Sequence, residues 1–305
     1  MRAGAARAVK AVLDASGHYI RRLRMDRFPG VAVLCYHGVR PDGLRRGAAT
    51  FEGLHVTAAE LEAHCRLLSS ACDPISLDRW RESLAGGPPL PRRPVLFTFD
   101  DGYRSVLTAA QPVLARYGIP AAAFICSDPV RDRRLLWYDA LARAEGEAAV
   151  ERWKEAPYLE WRAACARVAR PAAEEDPNAP LTSADVRTLA QTEGFEIGGH
   201  SAGHAILSRA DRHDQRWEIL ENTAALEEWS GRPVRAFAYP NGRPGVDYTP
   251  TTVTLLRELG FDFGFTTRPG FARPDEPALE RSRFLMLAGI PVAELAHRLA
   301  YSWRR

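Results

Sequence analysis

The stretch "VLFTFDDGY", residues 95–103, carries the reading that decides the fold. Val95 to Phe99 are apolar or β-branched throughout and predict a buried strand. Two carboxylates follow without a spacer, Asp100 and Asp101, and Gly102 then lets the chain turn. Adjacent carboxylates repel each other and are costly to bury. At the exit of a buried strand they point to a bound cation or a catalytic task. Successive side chains of a strand face opposite ways. With a turn at Gly102, the pair can therefore serve one site in two roles.

The same grammar recurs on both sides. "VAVLCY" (31–36), "AAAFI" (121–125), "FEIGG" (195–199), "VRAFAY" (234–239), "FDFGFTT" (261–267) and "RSRFLML" (281–287) read as strands. Helical patterns lie between them. "TAAELEAHCRLLSSA" (57–71) opens on a capping box, Thr57 with Glu60. "SVLTAAQPVLARYG" (105–118) predicts a helix kinked at Pro112 and stopped by Gly118. "LTSADVRTLAQTEG" (181–194) takes Ser183 as N-cap. Further helices are expected over 213–231, 250–259 and 291–300, and residues 131–180 read as a charged helical insertion. Strand–helix alternation implies a parallel sheet with helices outside it. The fold class is α/β: a distorted, incomplete (β/α) barrel of about seven parallel strands with outer helices. Active groups of such folds stand at the C-terminal ends of the strands.

The chain's 305 residues, 46% hydrophobic and 26% charged, describe an ordinary globular protein. A net charge of +3 gives no argument for nucleic acid. The five cysteines, 35, 65, 72, 126 and 165, are odd in number and lack a CxxC spacing. They predict neither a disulfide framework nor a cysteine zinc site. Residues 1–28 form a basic helical segment ahead of a domain spanning 29–305. Lys10, Asp14 and His18 interrupt any signal-peptide core, and no apolar run is long enough for a membrane span. The expectation is a cytoplasmic protein, or one peripheral at the inner membrane through its basic N-terminus. A solvated leading helix is the plainer reading of that segment.

Four strand ends carry polar or turn-forming groups: His37, the Asp100–Asp101 pair, His200 with His204, and Pro240 with Asn241. "HSAGH" (200–204) sets two histidines four apart, so one turn can aim both imidazoles at one ion. Zincin peptidases share this spacing but need glutamate after the first histidine. Ser201 stands there, and the surrounding glycines disfavour a helix. Two histidines and one carboxylate make a three-ligand site open to water, which suits hydrolysis.

"LCYHGV", "FTFDDGYRSVLTAAQPVLARYGIPAAAFI", "EIGGHSAGHAILSRA", "FAYPNGR" and "LGFDFGFTT" follow one another over roughly residues 30–287. In this order they resemble the polysaccharide deacetylases of the NodB-homology type, carbohydrate esterase family 4. "YHGV" with "FAYPNG" resembles the branch found with bacterial exopolysaccharide clusters. The resemblance implies metal-dependent removal of an acetyl group from N-acetylhexosamine units of a carbohydrate. Asp101, His200 and His204 match the family's metal ligands and Asp100 its catalytic base. The ion is expected to be zinc, with cobalt or nickel also suited to two imidazoles and a carboxylate. Backbone donors to the oxyanion map near Tyr103 and onto Asn241, in the turn begun by Pro240. His37 is the expected general acid, because His297 in "ELAHRL" lacks the family's late Leu-x-x-His spacing. Arg281 matches an arginine that supports the base, whereas Arg235 lies at the wrong end of its strand. His55, His64 and His213 read as ordinary. Two relatives of this reading stay open: the same chemistry on a small or lipid-linked aminosugar, including deformylation, and a sugar-binding pseudoenzyme. A two-metal phosphoesterase is disfavoured, because the extra Asp and His ligands are missing.

Overall fold

The computed structural model describes residues 2–41, 43 and 47–302. The chain opens with α1 (Arg2–Ala15) and α2 (His18–Met25), then enters β1 (Ala32–Tyr36). The short β2 (Val39–Arg40) and a 3-10 turn (Glu52–Leu54) lead to β3 (Val56–Thr57), α3 (Ala58–Ala71), β4 (Asp73–Pro74) and α4 (Leu77–Leu84). Next come β5 (Pro94–Phe99), a π-helical turn (Val106–Ala110), α5 (Gln111–Arg116), β6 (Ala121–Ile125) and α6 (Ser127–Asp132). The insertion holds α7 (Trp137–Glu145), α8 (Glu147–Lys154) and α9 (Tyr158–Val168). The chain continues through α10 (Ser183–Gln191), β7 (Phe195–Gly199), α11 (Arg212–Ser230) and β8 (Ala236–Ala238). It ends with α12 (Pro250–Glu258), β9 (Phe263–Pro269), β10 (Arg281–Leu285) and α13 (Val292–Tyr301).

The main sheet runs β1-β10-β9-β8-β7-β6-β5-β4, and an added β1–β5 pairing closes seven of these strands into a ring. Every pairing in it is parallel. β4 flanks only the start of β5, with Asp73 opposite Pro94, before β6 takes over with Ala121 opposite Phe97. The ring is distorted where β7 and β8 share one registered pair, Gly199 with Phe237, and where β10 shifts register between Arg281 and Arg283.

The period-two pattern of buried strands divides two cores. Val33, Leu96, Ala122, Phe124, Ala236, Ala238, Phe263 and Phe265 fill the barrel. Leu34, Phe97, Ala123, Ile197 and Phe237 face the helices. A ring of seven strands is narrow, and alanine on three of these inward positions leaves room for the phenylalanines.

One local reading changes. The N-cap of α10 is Thr182, not Ser183: its hydroxyl accepts from Asp185 N–H, and the Asp185 carboxylate returns the bond to Thr182 N–H. Pro112 follows directly on a π-helical turn, in one helical run that continues to Arg116; a widened turn is how a helix accommodates a residue that lacks an N–H.

The basic N-terminal segment is anchored rather than free. Tyr19 and Leu23 of α2 are fully buried, and Lys10 pairs with Glu294 of α13 at 2.5 Å. Among the described residues, no helix is long and apolar enough to cross a membrane. The five cysteines are free thiols.

Gly264 on β9 shows how tightly the barrel wall is built. A Cβ there would lie 2.1 Å from the backbone oxygen of Leu279. Gly264→Ala is therefore expected to cost about 1–3 kcal/mol in urea unfolding, the usual range for overpacking; an unchanged midpoint would refute that close approach.

Candidate active site

The row Leu96, Thr98, Asp100 continues the inward phase of β5, so Asp100 emerges at the top of the barrel interior. Its N–H donates to Tyr36 O at 2.9 Å. Arg283, fully buried on β10, meets it with both terminal nitrogens: Nη1 to Oδ1 at 2.8 Å and Nη2 to Oδ2 at 2.7 Å. Arg283 Nε donates to Thr266 O at 2.9 Å, which fixes the fork. The Cys35 thiol adds a longer contact to Asp100 Oδ2, 3.4 Å. Burial alone would raise the Asp100 carboxyl, but the Arg283 charge overrides it and holds the group below its ordinary value. Burial pushes the Cys35 thiol well up, so it stays a donor.

The arginine expected beside the base was Arg281, and the structure places Arg281 elsewhere. Its Nη1 donates to the backbone oxygens of Arg273 and Glu276, at 2.7 and 2.8 Å, and its guanidinium lies over Trp80. Both arginines point into the barrel, two residues apart on one strand. That spacing leaves Arg281 roughly 7 Å lower, at the wrong layer to reach Asp100. The alternation in "RSRFL" (281–285) sets both arginines on the inward face and so marks Arg283 as a second candidate, but it does not separate their layers.

Asp101 leaves the strand with φ 77°, in the left-handed region, and so turns away from Asp100. Its Oδ1 lies 3.3 Å from His200 Nε2 and 3.4 Å from His204 Nε2. The "HSAGH" segment is a turn rather than a helix, with Ser201 at φ 60° and His204 at φ 61°. His200 Nδ1 donates to Ala238 O at 2.7 Å, which leaves its Nε2 lone pair facing Asp101. Burial would raise the Asp101 carboxyl; His37 first, then the two imidazoles, hold it well below the carboxylate range.

Asp101, His200 and His204 offer three ligand atoms within 4.8 Å of one another, and all three residues are buried. Asp101 Oδ1 is a buried acceptor without a well-formed hydrogen bond. A buried carboxylate oxygen facing two imidazole nitrogens, one of fixed tautomer, fits a divalent cation.

These groups open on a cavity of about 330 Å³. His37 lines it, with a buried Nδ1 that has no hydrogen-bond partner. Asn241 lines it too, at φ 55° in the turn closed by Gly242 N–H to Pro240 O at 2.7 Å. Pro240 shapes that turn from outside the cavity wall. Tyr103 also stands behind the wall: its ring is buried, and its hydroxyl meets Tyr138 at 3.0 Å and Asp139 at 2.9 Å. Burial pushes the Asp139 carboxyl up to about 8. In the bridge between Tyr103 and Pro180, Gly102 O and Arg104 N–H make the bonds, so Tyr103 N–H stays outside them. His297, on α13, faces α2, where its Nδ1 meets Tyr19 Oη at 3.1 Å, and it does not border the cavity.

The insertion adds Tyr138, Val150, Glu151 and Lys154 to the wall, beside Phe51, Leu54, Tyr239, Arg243, Thr267 and Leu285 from the loops and strand ends. Nothing in the local sequence marks the insertion's four, because only packing brings α7 and α8 over the barrel mouth. A larger depression, about 950 Å³, lies at the opposite end of the barrel and carries none of this chemistry.

Comparison with known proteins places the chain among deacetylases. YxkH of Bacillus subtilis is 22% identical over 273 residues, covering 88% of this chain and 76% of that protein. The poly-beta-1,6-N-acetyl-D-glucosamine N-deacetylase of Escherichia coli is 40% identical over 65 residues, 21% of this chain and 10% of that protein. Among solved structures, the Streptococcus pyogenes deacetylase PplD, in complex with acetate, superposes with a TM-score of 0.66 at 18% identity, covering 88% of this chain and 98% of that one. The polysaccharide deacetylase profile matches residues 87–264, more than half of the sequence. The chain thus belongs to the polysaccharide deacetylase family, hydrolases that act on amide bonds.

Proposed function

We propose that this protein removes N-acetyl groups from N-acetylhexosamine units of a polysaccharide, with a divalent ion held by Asp101, His200 and His204. One observation carries the reading. A buried, poorly bonded carboxylate oxygen faces two imidazoles, and beside it a second carboxylate is kept ionised by Arg283. The short match to the Escherichia coli enzyme, named for poly-beta-1,6-N-acetyl-D-glucosamine, supports a polymer of that sugar type as substrate.

Bound at these ligands, zinc or a similar ion supplies Lewis acidity to the amide carbonyl and to water. The chain's own residues do the rest. Arg283 occupies one lone pair on each Asp100 oxygen, and Oδ1, which the Cys35 thiol does not touch, keeps another free to take the proton of the attacking water. The N–H groups of Asn241 and Tyr103 offer hydrogen bonds to the charge that grows on the carbonyl oxygen. The C–N bond then breaks, and His37 gives a proton to the leaving nitrogen, so that acetate and a free amine result.

Asp100→Asn is expected to lower acetate release from poly-N-acetylglucosamine or chitooligosaccharides by about 10²–10⁴-fold, the usual contribution of a positioned base, while zinc binding persists. Retained turnover would remove Asp100 from the role of base. His37→Ala should slow acetate release and His297→Ala should not, in parallel assays of purified variants; the reverse pattern would move the acid to α13. Arg283→Met leaves Asp100 charged and unpaired, an expected loss of about 3–5 kcal/mol in urea unfolding. Arg281→Met strands no carboxylate and should cost clearly less. Equal losses would contradict the assignment of Arg283 as the partner of Asp100.

A further inference from the structure

The "HSAGH" turn has no helical hydrogen bonds to set its shape, so its geometry must be imposed from outside. Two residues one turn apart on α11, Glu218 and Asn222, do this. Asn222 Oδ1 accepts from His200 N–H at 3.0 Å, and its Nδ2 donates to Ile125 O at 2.9 Å, at the end of β6. Glu218 grips the middle of the turn twice. Its backbone oxygen accepts from Ala202 N–H at 3.0 Å, and its Oε2 accepts from Gly203 N–H at 2.9 Å. The other carboxylate oxygen, Oε1, accepts from the hydroxyl of Tyr158 at 2.8 Å.

Tyr158 belongs to α9, within the insertion, so one buried carboxylate ties the insertion to the peptide that precedes His204. The fit leaves little slack. A Cβ on Gly203 would lie 3.1 Å from the Trp161 ring, and 3.7 Å from both Asp128 Oδ2 and Glu218 Oε1. Glu218 is 1% exposed, so no water competes for the Gly203 donor. His204 follows directly at φ 61°, a conformation a histidine keeps only when its neighbours hold it.

We propose that Glu218 is a positioning residue for the metal centre. Through Gly203 N–H it sets the direction of His204, and through Tyr158 it makes the insertion part of the ion's support. This rests on the metal-dependent reading above.

Zinc dissociation constants of the full chain, measured by competition with a chromophoric chelator, test it. Glu218→Ala is expected to raise the constant by about 10–100-fold, the usual effect of losing an outer-shell partner. Glu218→Gln keeps an acceptor for Gly203 N–H and should stay near the parent value. Tyr158→Phe, which frees the carboxylate on one side, should fall between them. Exposed Glu228, on the same helix, provides the control through Glu228→Ala. With cobalt in place of zinc, the visible spectrum should change in Glu218→Ala and not in Glu218→Gln. A purely structural role would lower the unfolding midpoint and leave the folded protein's zinc constant alone. Parent-like zinc binding by folded Glu218→Ala would overturn the proposal. If that variant does not fold, parent-like binding by Tyr158→Phe overturns it, and weakened binding supports it. A parent protein that binds no zinc would instead remove the metal-dependent reading itself.

Discussion

An ionised carboxylate survives inside a protein only where a fixed cation or a set of donors replaces its water. Here that condition is met by the two-pronged contact of Arg283 with Asp100, at 2.8 and 2.7 Å. Much of the barrel serves it. Thr98 continues the inward row below Asp100, and Thr266 O and Thr98 Oγ1 keep the guanidinium in plane, at 2.9 and 3.3 Å. Phe124 and Phe265 close over the same guanidinium at 6.0 Å each, which excludes water and adds ring electrons facing the charge. With one aspartate committed to this pair, the other is free to turn away. The left-handed φ of Asp101 is the local cost of that separation.

Sequence legibility followed the range of the forces involved. β6 and β7 agree with their predicted bounds: "AAAFI" is a fully apolar run, and both strands are bounded by turn residues that leave little freedom. Asp100, Asp101, His200 and His204 were legible because their chemistry is written in short motifs, and a parallel barrel gathers its strand ends on one face. Arg281 shows the limit. The right face of β10 could be read, but not the layer, since depth along the barrel axis depends on the register that β10 takes against β9. Tyr138, Lys154 and Glu218 were harder still, because each reaches the site from a helix whose placement is set by packing alone.

The short buried polar chain from α9 to the "HSAGH" turn changes how the insertion is understood. Residues 131–180 read in sequence only as a charged helical insertion. In the folded chain they form one wall of the cavity and also bear on the turn that carries His200 and His204. Variation in such an insertion can therefore change the cavity wall and the orientation of His200 and His204 together, and the two effects are not separable by inspecting the wall alone.

The order of the strands has a consequence for assembly. Ring closure joins β1 to β10, and Asp100 waits for an arginine 183 residues further along the chain. Bringing such distant partners together is slow, because the intervening loop must be closed before the contact gives any return. As the chain leaves the ribosome, the strand end bearing both aspartates is complete long before its counter-charge exists. Until then, burying that strand end would leave a carboxylate without its cation. β10, which brings the cation, also closes the ring, and α13 after it packs beside α1 and α2, so that parts of the sequence far apart meet. The pairing of the site's carboxylate and the closure of the barrel thus depend on the same strand.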